Sequence, residues 1–127
     1  MPELPEVETV RRGLEKRLLG QRVARAETRR KTLRIPLPAR FAARMKGRRF
    51  ERLDRLGKYI LGYLDDGNVL IIHLGMSGRF TLDESGKAPD GKHDHVVFFM
   101  ADGTVATYTD PRRFGLITMC REDEVDS

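Results

Sequence analysis

Pro2 and Glu3, in the opening stretch MPELPEVETV, are residues whose types and order could carry out covalent chemistry. If Met1 is removed, Pro2 carries a free secondary amine, which can attack an electrophilic carbon and form a charged iminium, an electron sink like a lysine Schiff base. An α-amino group has a reference pKa of about 7.7–8.0, so more of it is nucleophilic at neutral pH than of a lysine. Glu3 could donate a proton during the attack. The alternative interpretation is that both residues only shape the start of a helix.

Four stretches that could form one site occur in order along the chain: PELPEVETVRRGL, HLGMSGRF, KHDHVVF and YTDPRRFG. Together they resemble the catalytic N-terminal domain of formamidopyrimidine-DNA glycosylase, a bacterial family that removes oxidised purines such as 8-oxoguanine and formamidopyrimidines from DNA. The resemblance covers nearly the whole chain. The related endonuclease VIII, which acts on oxidised pyrimidines, is a similar alternative. It typically opens with PEGPE and lacks HLGMSG, so the motifs favour the purine enzyme.

The resemblance implies a bifunctional DNA glycosylase and AP lyase of base excision repair, with four catalytic residues, three of them near the start of the chain. Pro2 matches the nucleophile that attacks C1′ of the damaged nucleoside, and Glu3 matches the acid that assists opening of the sugar ring. Lys58, in LGKYIL, matches a lysine assigned to proton transfer in β-elimination, and Glu6 matches a supporting glutamate. From the residues alone, Lys58 is better explained as a lysine at a strand start, and Glu6 is nearly as well explained as a residue of the helix cap.

The resemblance also implies a wedge that enters DNA. Met76 matches a methionine that fills the void left by an extruded nucleotide, Arg112 matches the residue that reaches the orphaned base, and Phe114 matches an aromatic pushed between base pairs. A flexible apolar filler, a planar multi-donor and an aromatic suit these tasks. The Asp110-Pro111 pair is expected to fix the turn that presents them. An isolated Met or Phe is more often a core residue, but flanking glycines at 75, 78 and 115 favour exposed loops.

His93, in KHDH, matches a family position that contacts DNA. The rival interpretation is a metal site of His93 and His95, with Asp94 or His73 as a further ligand. No nearby cysteine or third fixed ligand supports it, so we expect a histidine pair that faces solvent or the core, and no metal.

The elements that must position these residues are one helix followed by many strands. Apolar residues at helical spacing from Pro5 predict a first helix over about residues 5–19, and a shorter one is expected in ARFAARMK after PLP. KYILGYL and VLIIHL flank a hairpin turn at Asp66-Gly67, and HVVFFM and TVATYT flank another at Asp102-Gly103. RVARAET, RFERLDR and GRFTL are further strands, and DESGKAPDGK is a polar loop. We therefore predict an α+β domain, an antiparallel β-sandwich flanked by the two helices.

Composition narrows the class of protein. The 127 residues suit one domain, and no stretch approaches the ~18 consecutive apolar residues of a membrane span. A single cysteine, Cys120, excludes an internal disulfide and a multi-cysteine metal site and suits a reducing, intracellular compartment. Residues 1–58 carry a net charge of +11 and residues 59–127 one of −6, with clusters RRKTLR and KGRRFERLDR in the basic half. Such a basic half indicates a polyanionic partner.

The family's full chain continues into a helix–two-turn–helix module and a four-cysteine zinc finger, which are absent from this sequence. We therefore expect residues 1–127 to be an isolated N-terminal catalytic domain with no cofactor of its own, the zinc belonging to the absent domain. The expected partner is damaged double-stranded DNA. We expect the protein to be a monomer in the bacterial cytoplasm that binds neither a membrane nor a small-molecule cofactor. We expect the domain alone to be largely inactive. The alternative is a non-catalytic, basic DNA-binding or interaction domain that shares the fold.

Overall fold

The computed structural model describes residues 2–125 of the chain. Within this range the elements are, in order, α1 Leu4–Leu18, β1 Val23–Thr28, α2 Phe41–Met45, β2 Phe50–Leu56, β3 Tyr59–Leu64, β4 Asn68–His73, β5 Arg79–Asp83, β6 Asp94–Met100, β7 Val105–Thr109, β8 Leu116–Arg121 and a 3-10 turn at Glu122–Glu124. None of the helices in this range has the length and apolar character needed to cross a membrane.

The strands form two four-stranded antiparallel sheets. The first sheet has the order β1–β6–β7–β5 and the second has the order β2–β3–β4–β8. Side chains from both sheets and both helices meet in one apolar core that includes Phe50, Phe98 and Tyr108. The predicted α+β class, an antiparallel sandwich with a long first helix and a short second one, is confirmed.

The first helix, α1, begins one residue earlier than the sequence predicted and ends at Leu18. Pro5 therefore occupies the second helical position rather than the first, where its missing N–H still costs nothing because the first four N–H groups have no partner inside the helix. The apolar stripe of Val7, Leu14 and Leu18 is buried, as the helical spacing requires. This stripe fixes which face of α1 lies on the sandwich.

The second helix, α2, is shorter than the predicted segment and spans Phe41–Met45. Arg40 before it adopts a left-handed conformation with φ of 57°. Phe41 and Met45 are buried, and the ring of Phe41 meets that of Phe98 edge-on at 6.1 Å between centroids. The helix therefore serves as a cover for β1 and β6.

Both predicted hairpins form. β3 pairs with β4 and β6 pairs with β7. Gly67 and Gly103 have φ of 85° and 94°, the positive values that their turns require and that glycine adopts at little cost. Asp66 and Asp102 each accept a hydrogen bond from the backbone N–H two residues later, which closes the turns.

β8 was not predicted from the sequence, although LITMCR follows the motif YTDPRRFG directly. It pairs with β4, with Leu116 opposite His73 and Arg121 opposite Asn68. The start of β8 and the end of β4 therefore lie at the same edge of the second sheet. We call this the site edge.

Candidate functional site

Met76, Arg112 and Phe114 lie together on two loops above the site edge. Met76 follows β4 and is 46% exposed, and Phe114, between β7 and β8, is also 46% exposed. The Arg112 Nη1 atom is 4.0 Å from the sulfur of Met76, and its guanidinium carbon lies 5.4 Å from the centre of the Phe114 ring. The expectation that these three side chains share one exposed face on loops is confirmed, while their action on DNA stays a prediction.

A buried carboxylate, that of Asp110, holds the two loops together. Its Oδ1 accepts hydrogen bonds from the Ser77 hydroxyl at 2.8 Å and the Arg113 N–H at 3.0 Å. Its Oδ2 accepts from the Tyr108 hydroxyl at 2.8 Å and the Gly115 N–H at 2.9 Å. Because Asp110 is fully buried, these donors replace the water that an ionised carboxylate would otherwise need. The predicted turn role of Asp110 thus extends to both loops.

Tyr108 and Ser77 complete this arrangement. Burial, together with the hydrogen bond to Asp110, raises the pKa of the Tyr108 phenol, so the hydroxyl stays protonated and donates. The Ser77 Oγ also accepts the backbone N–H of Arg112 at 3.3 Å. Ser77 therefore connects the loop of Met76 directly to Arg112.

The glycines that flank these motifs act differently from our expectation. Gly75, Gly78 and Gly115 are buried, so they are no sign of exposed loop tips. A Cβ on Gly75, whose φ is 65°, would overlap the backbone of Phe114 and Gly115, and one on Gly115 would overlap the Tyr108 hydroxyl. The glycines permit close contact between the two loops, and that contact leaves the larger side chains outside.

The N-terminal end of α1 carries Pro2, Glu3 and Glu6. Pro2 is half-buried, and both glutamates are exposed. The Glu3 backbone N–H donates to Glu6 Oε1 at 3.3 Å, so Glu6 does act in capping the helix. Met1, whose removal decides the chemistry of the Pro2 nitrogen, lies outside the described residues.

Lys58 belongs to the turn between β2 and β3, at the site edge. α1 runs antiparallel to β2, because Arg11 Nη1 donates to the Leu53 carbonyl at 2.9 Å and Arg55 Nε donates to Glu8 Oε1 at 3.1 Å, nearer the helix start. The first turn of α1 therefore points toward the end of β2 and the turn that follows it. The fold brings Lys58 and the start of α1 to the same end of the second sheet.

His73 was considered from the sequence only as a possible metal ligand, but it links these parts. It ends β4, is nearly buried, and its Nδ1 accepts the Gly75 N–H at 3.0 Å, which leaves the other ring nitrogen as the N–H donor of the neutral ring. Burial lowers the pKa of His73, and the charges of Arg34 and Lys58 lower it further. A neutral N–H donor whose surroundings are made positive by Arg34 and Lys58 is a suitable contact for an anion. The signal in the sequence was its place directly before LGMSG.

His93 lies beside the buried Asp110 rather than in a metal site. Its carbonyl accepts the Asp110 N–H at 3.0 Å, and its ring lies 6.4 Å from that of His95. His95 is buried, with Nε2 at 2.7 Å from the Asp110 carbonyl oxygen. Among residues 2–125, no three His, Cys, Asp or Glu side chains are grouped so that they could hold a metal ion. The rival metal site of His93 and His95 has no support.

The basic clusters differ in how far their charge is neutralised. In the 46–55 run, Arg48 pairs with Asp65, Arg49 with Glu51, Arg52 with Asp54 and Arg55 with Glu8. In the 29–34 run, the exposed residues Arg30, Lys31 and Arg34 follow Arg29, whose partner is Glu27. Backbone bonds from Arg29 to the His95 carbonyl and from Arg34 to the Gly115 carbonyl hold this run along the site edge.

Comparison with known proteins gives consistent matches. The family model for the formamidopyrimidine-DNA glycosylase N-terminal domain matches residues 1–117. Formamidopyrimidine-DNA glycosylases of Caulobacter sp. (strain K31) and Beijerinckia indica are each 52% identical, over 99% and 97% of this chain and 48% and 45% of their own. The chain thus spans about half the length of the curated relatives it matches.

Solved structures of the Lactococcus lactis formamidopyrimidine-DNA glycosylase are similar in fold. One, bound non-covalently to DNA that contains an AP site, is 36% identical with a TM-score of 0.87, over 98% of this chain and 47% of that one. Another, in complex with DNA that contains FAPY-dG, is 36% identical with a TM-score of 0.86, over 97% of this chain and 46% of that one.

Proposed function

The chain belongs to the formamidopyrimidine-DNA glycosylase N-terminal domain family, and from this membership we propose that it is the catalytic part of a base excision repair enzyme. The proposed reaction removes oxidised purines from duplex DNA and then cleaves the sugar–phosphate backbone. The observation that carries the proposal is the cluster of Met76, Arg112 and Phe114, exposed on two loops that a buried carboxylate ties together at the edge where Lys58 also lies.

Pro2 is the proposed nucleophile. Its nitrogen lone pair forms a bond to C1′, the glycosidic bond breaks, and the base leaves with the electron pair; the proton lost from the Pro2 nitrogen balances the one that the base takes up. The bond from C1′ to the ring oxygen then breaks, Glu3 supplies the proton to that oxygen, and the nitrogen forms the iminium. Glu6 supports Glu3 through the contact at the start of α1.

Lys58 is proposed to take part in the proton transfers of the β-elimination that follows. A proton leaves C2′, the electron-accepting iminium takes up the electron pair, and the 3′ phosphate departs with the electrons of its bond to carbon. The placement is supported by the position of Lys58 in the turn between β2 and β3, at the same end of the second sheet as His73, where a cation suits the phosphate that must depart.

The exposed cluster is proposed to replace the extruded nucleotide. Met76 fills the void, Arg112 donates to the orphaned base, and Phe114 enters the stack. His93, whose backbone is hydrogen-bonded to that of Asp110, contacts the DNA. Because Asp110 and Ser77 hold both loops, the three side chains can be presented without a large rearrangement, which lowers the free energy needed to insert them.

The remaining half of the relatives' length is proposed to hold the other DNA-binding modules, including the zinc finger. Residues 1–127 would then act as the N-terminal catalytic domain without a cofactor of their own. We propose damaged double-stranded DNA as the partner of a monomeric enzyme in the bacterial cytoplasm.

Borohydride trapping on duplex DNA that contains 8-oxoguanine tests the proposal. A full-length protein with this domain and with Met1 removed should form a stable covalent complex, because borohydride reduces the iminium. Pro2→Gly should keep some amine chemistry, and Glu3→Gln should impair base excision. Full trapping by the same protein with its N-terminal nitrogen blocked would exclude Pro2 as the nucleophile.

A further inference from the structure

The outer face of the second sheet carries an apolar groove of about 470 Å³ that the proposed chemistry does not use. Its lining is apolar apart from Glu124 and consists of Leu56, Tyr59, Leu61, Ile71, Cys120 and Val125. Leu56 is 53% exposed and Tyr59 is 40% exposed. Exposed apolar side chains in a groove are unfavourable in water, so a further apolar segment that covered them would be stabilised there.

The groove extends from the site edge to the opposite edge of the sheet. Leu56 and Tyr59 face each other across β2 and β3 at the site edge, and Leu61 and Ile71 face each other one row further in. Cys120, opposite Val69, lies close to the far edge. A segment lying in the groove would therefore connect the two edges.

The chain itself enters this groove at its far end. β8 leads away from the site edge, and the Glu122 N–H donates to the Gly67 carbonyl at 2.9 Å at the far edge. The turn at Glu122–Glu124 then brings Val125 back onto the outer face, where it packs with Leu61, Tyr63 and Val69. At Val125 the backbone has already turned back over the outer face of the sheet.

The matched relatives are about twice as long as this chain, and the family model describes an N-terminal domain. We propose that, in a protein of that length, the segment directly after residue 127 fills the groove from Val125 to Leu56 and Tyr59. It would thereby lead the second half of the protein to the site edge. This inference rests on family membership and does not depend on the glycosylase activity.

The dimensions and chemistry of the groove suit such a segment. A six-residue strand at about 3.3 Å per residue spans roughly 20 Å, so about six to eight extended residues suffice to cross the sheet. Asp126 and Ser127 are polar, so the apolar side chains must come from residues further along. A covalently attached segment also has a much higher effective concentration at the groove than a second copy of the chain would have.

Hydroxyl-radical footprinting of the full-length protein without DNA tests the inference. Leu19, which is 48% exposed and lies outside the groove, is an internal control of the same chemistry and nearly the same exposure as Leu56. If the segment covers the groove, Leu56 should be oxidised several-fold more slowly than Leu19 at every protein concentration. Equal rates for the two leucines would overturn the proposal, and so would protection that is lost on dilution, which would indicate a second copy.

A photo-crosslinking residue in place of Leu56 identifies the occupant. Irradiation of the full-length protein should give an intramolecular cross-link to a peptide that closely follows residue 127, as identified by mass spectrometry. A mixture of isotopically light and heavy protein distinguishes links within one molecule from links between two. Links between molecules, or to a peptide elsewhere in the chain, would overturn the proposal.

Discussion

At the scale of single residues, Asp110 explains more of the candidate site than any residue that faces solvent. Its two carboxylate oxygens accept hydrogen bonds from groups on both loops and on β7, and none of these donors is a charged side chain. Arg113 adopts a left-handed conformation with φ of 59° and still donates to Oδ1. The strain at Arg113 sets the directions of its neighbours Arg112 and Phe114, and the hydrogen bond to Asp110 compensates for it.

Replacing Asp110 with asparagine should therefore destabilise the fold and disorder the cluster. An amide can accept through only one of its two heavy atoms, so two buried donors lose their partner, at about 1–3 kcal/mol for each. Urea denaturation of Asp110→Asn measures the loss of unfolding free energy. Asp90→Asn, on an exposed loop, is the matched control and should be nearly neutral. Equal stability of the two variants would contradict the role of Asp110.

At the scale of elements, the sequence was sufficient wherever a local signal exists. The apolar stripe of α1 and the Asp-Gly turns of the two hairpins are local, and their elements formed within a residue or two of the prediction. β8 follows the turn expected at Asp110-Pro111, but its pairing with β4 is a long-range contact that no local signal in LITMCR indicates. The contact between Met76 and Arg112 depends on β4 pairing with β8, so proximity could be inferred only from the family resemblance.

The role of Asp110 in joining the two loops could not be recognised either, because it too depends on long-range contacts. Nothing in the stretch YTDPRRFG distinguishes a buried aspartate from one that only begins a turn. Two of its donors, Ser77 and Gly115, lie on different loops, and the approach of these loops depends on glycines that leave space for backbone. The sequence thus indicated the residues proposed to act on DNA more readily than those that hold them in place.

The attachment of α1 to β2 makes a pH-dependent contribution that can be tested. Hydrogen bonds from Arg11, supported by Arg55 and Arg12, lower the pKa of Glu8 from its ordinary 4.5 to about 2, against the opposing effect of burial. A carboxylate with a lowered pKa stabilises the fold fully above its unfolded pKa, and the contribution is lost as the pH falls from about 4.5 toward 2.

Glu8→Gln should consequently lower the melting temperature at pH 7 and make little difference at pH 2, where Glu8 is itself becoming protonated. Thermal unfolding followed by circular dichroism across this range measures the effect. Glu51→Gln, which removes a pair at 4.0 Å between exposed side chains, is the control and should shift the melting temperature less. A constant difference between Glu8→Gln and the unaltered chain across the whole range would contradict this account.

At the scale of the whole molecule, the basic charge matters by position as well as by amount. The 46–55 run, largely paired with carboxylates, begins at the edge opposite the site, whereas the 29–34 run lies along the site edge.

Arg30→Gln should weaken binding to duplex DNA and reduce the salt slope by about one unit, because one phosphate contact is lost. Arg49→Gln, on the opposite edge, should change both much less. Fluorescence anisotropy at several salt concentrations measures both, and equal effects would exclude the 29–34 run as the DNA-facing surface.

The 127-residue chain alone should bind duplex DNA weakly, with strong dependence on salt, and should excise almost no damaged base. Phosphate contacts supply most of the affinity and weaken as counterions are added. Extruding a base costs a few kcal/mol, which must be offset by contacts that keep the duplex bent. The exposed cluster is present, but these 127 residues span only about half the length of the relatives they match, so alone they offer less surface that could grip the backbone. The cluster should therefore seldom remain inserted, even after Met1 is removed.

A glycosylase assay on duplex DNA with 8-oxoguanine, at several salt concentrations and with a full-length relative alongside, measures the rate of base excision by the 127-residue chain. Turnover within about tenfold of that relative, a difference of only about 1.4 kcal/mol in the barrier, would mean that this domain needs no second half to hold an extruded base.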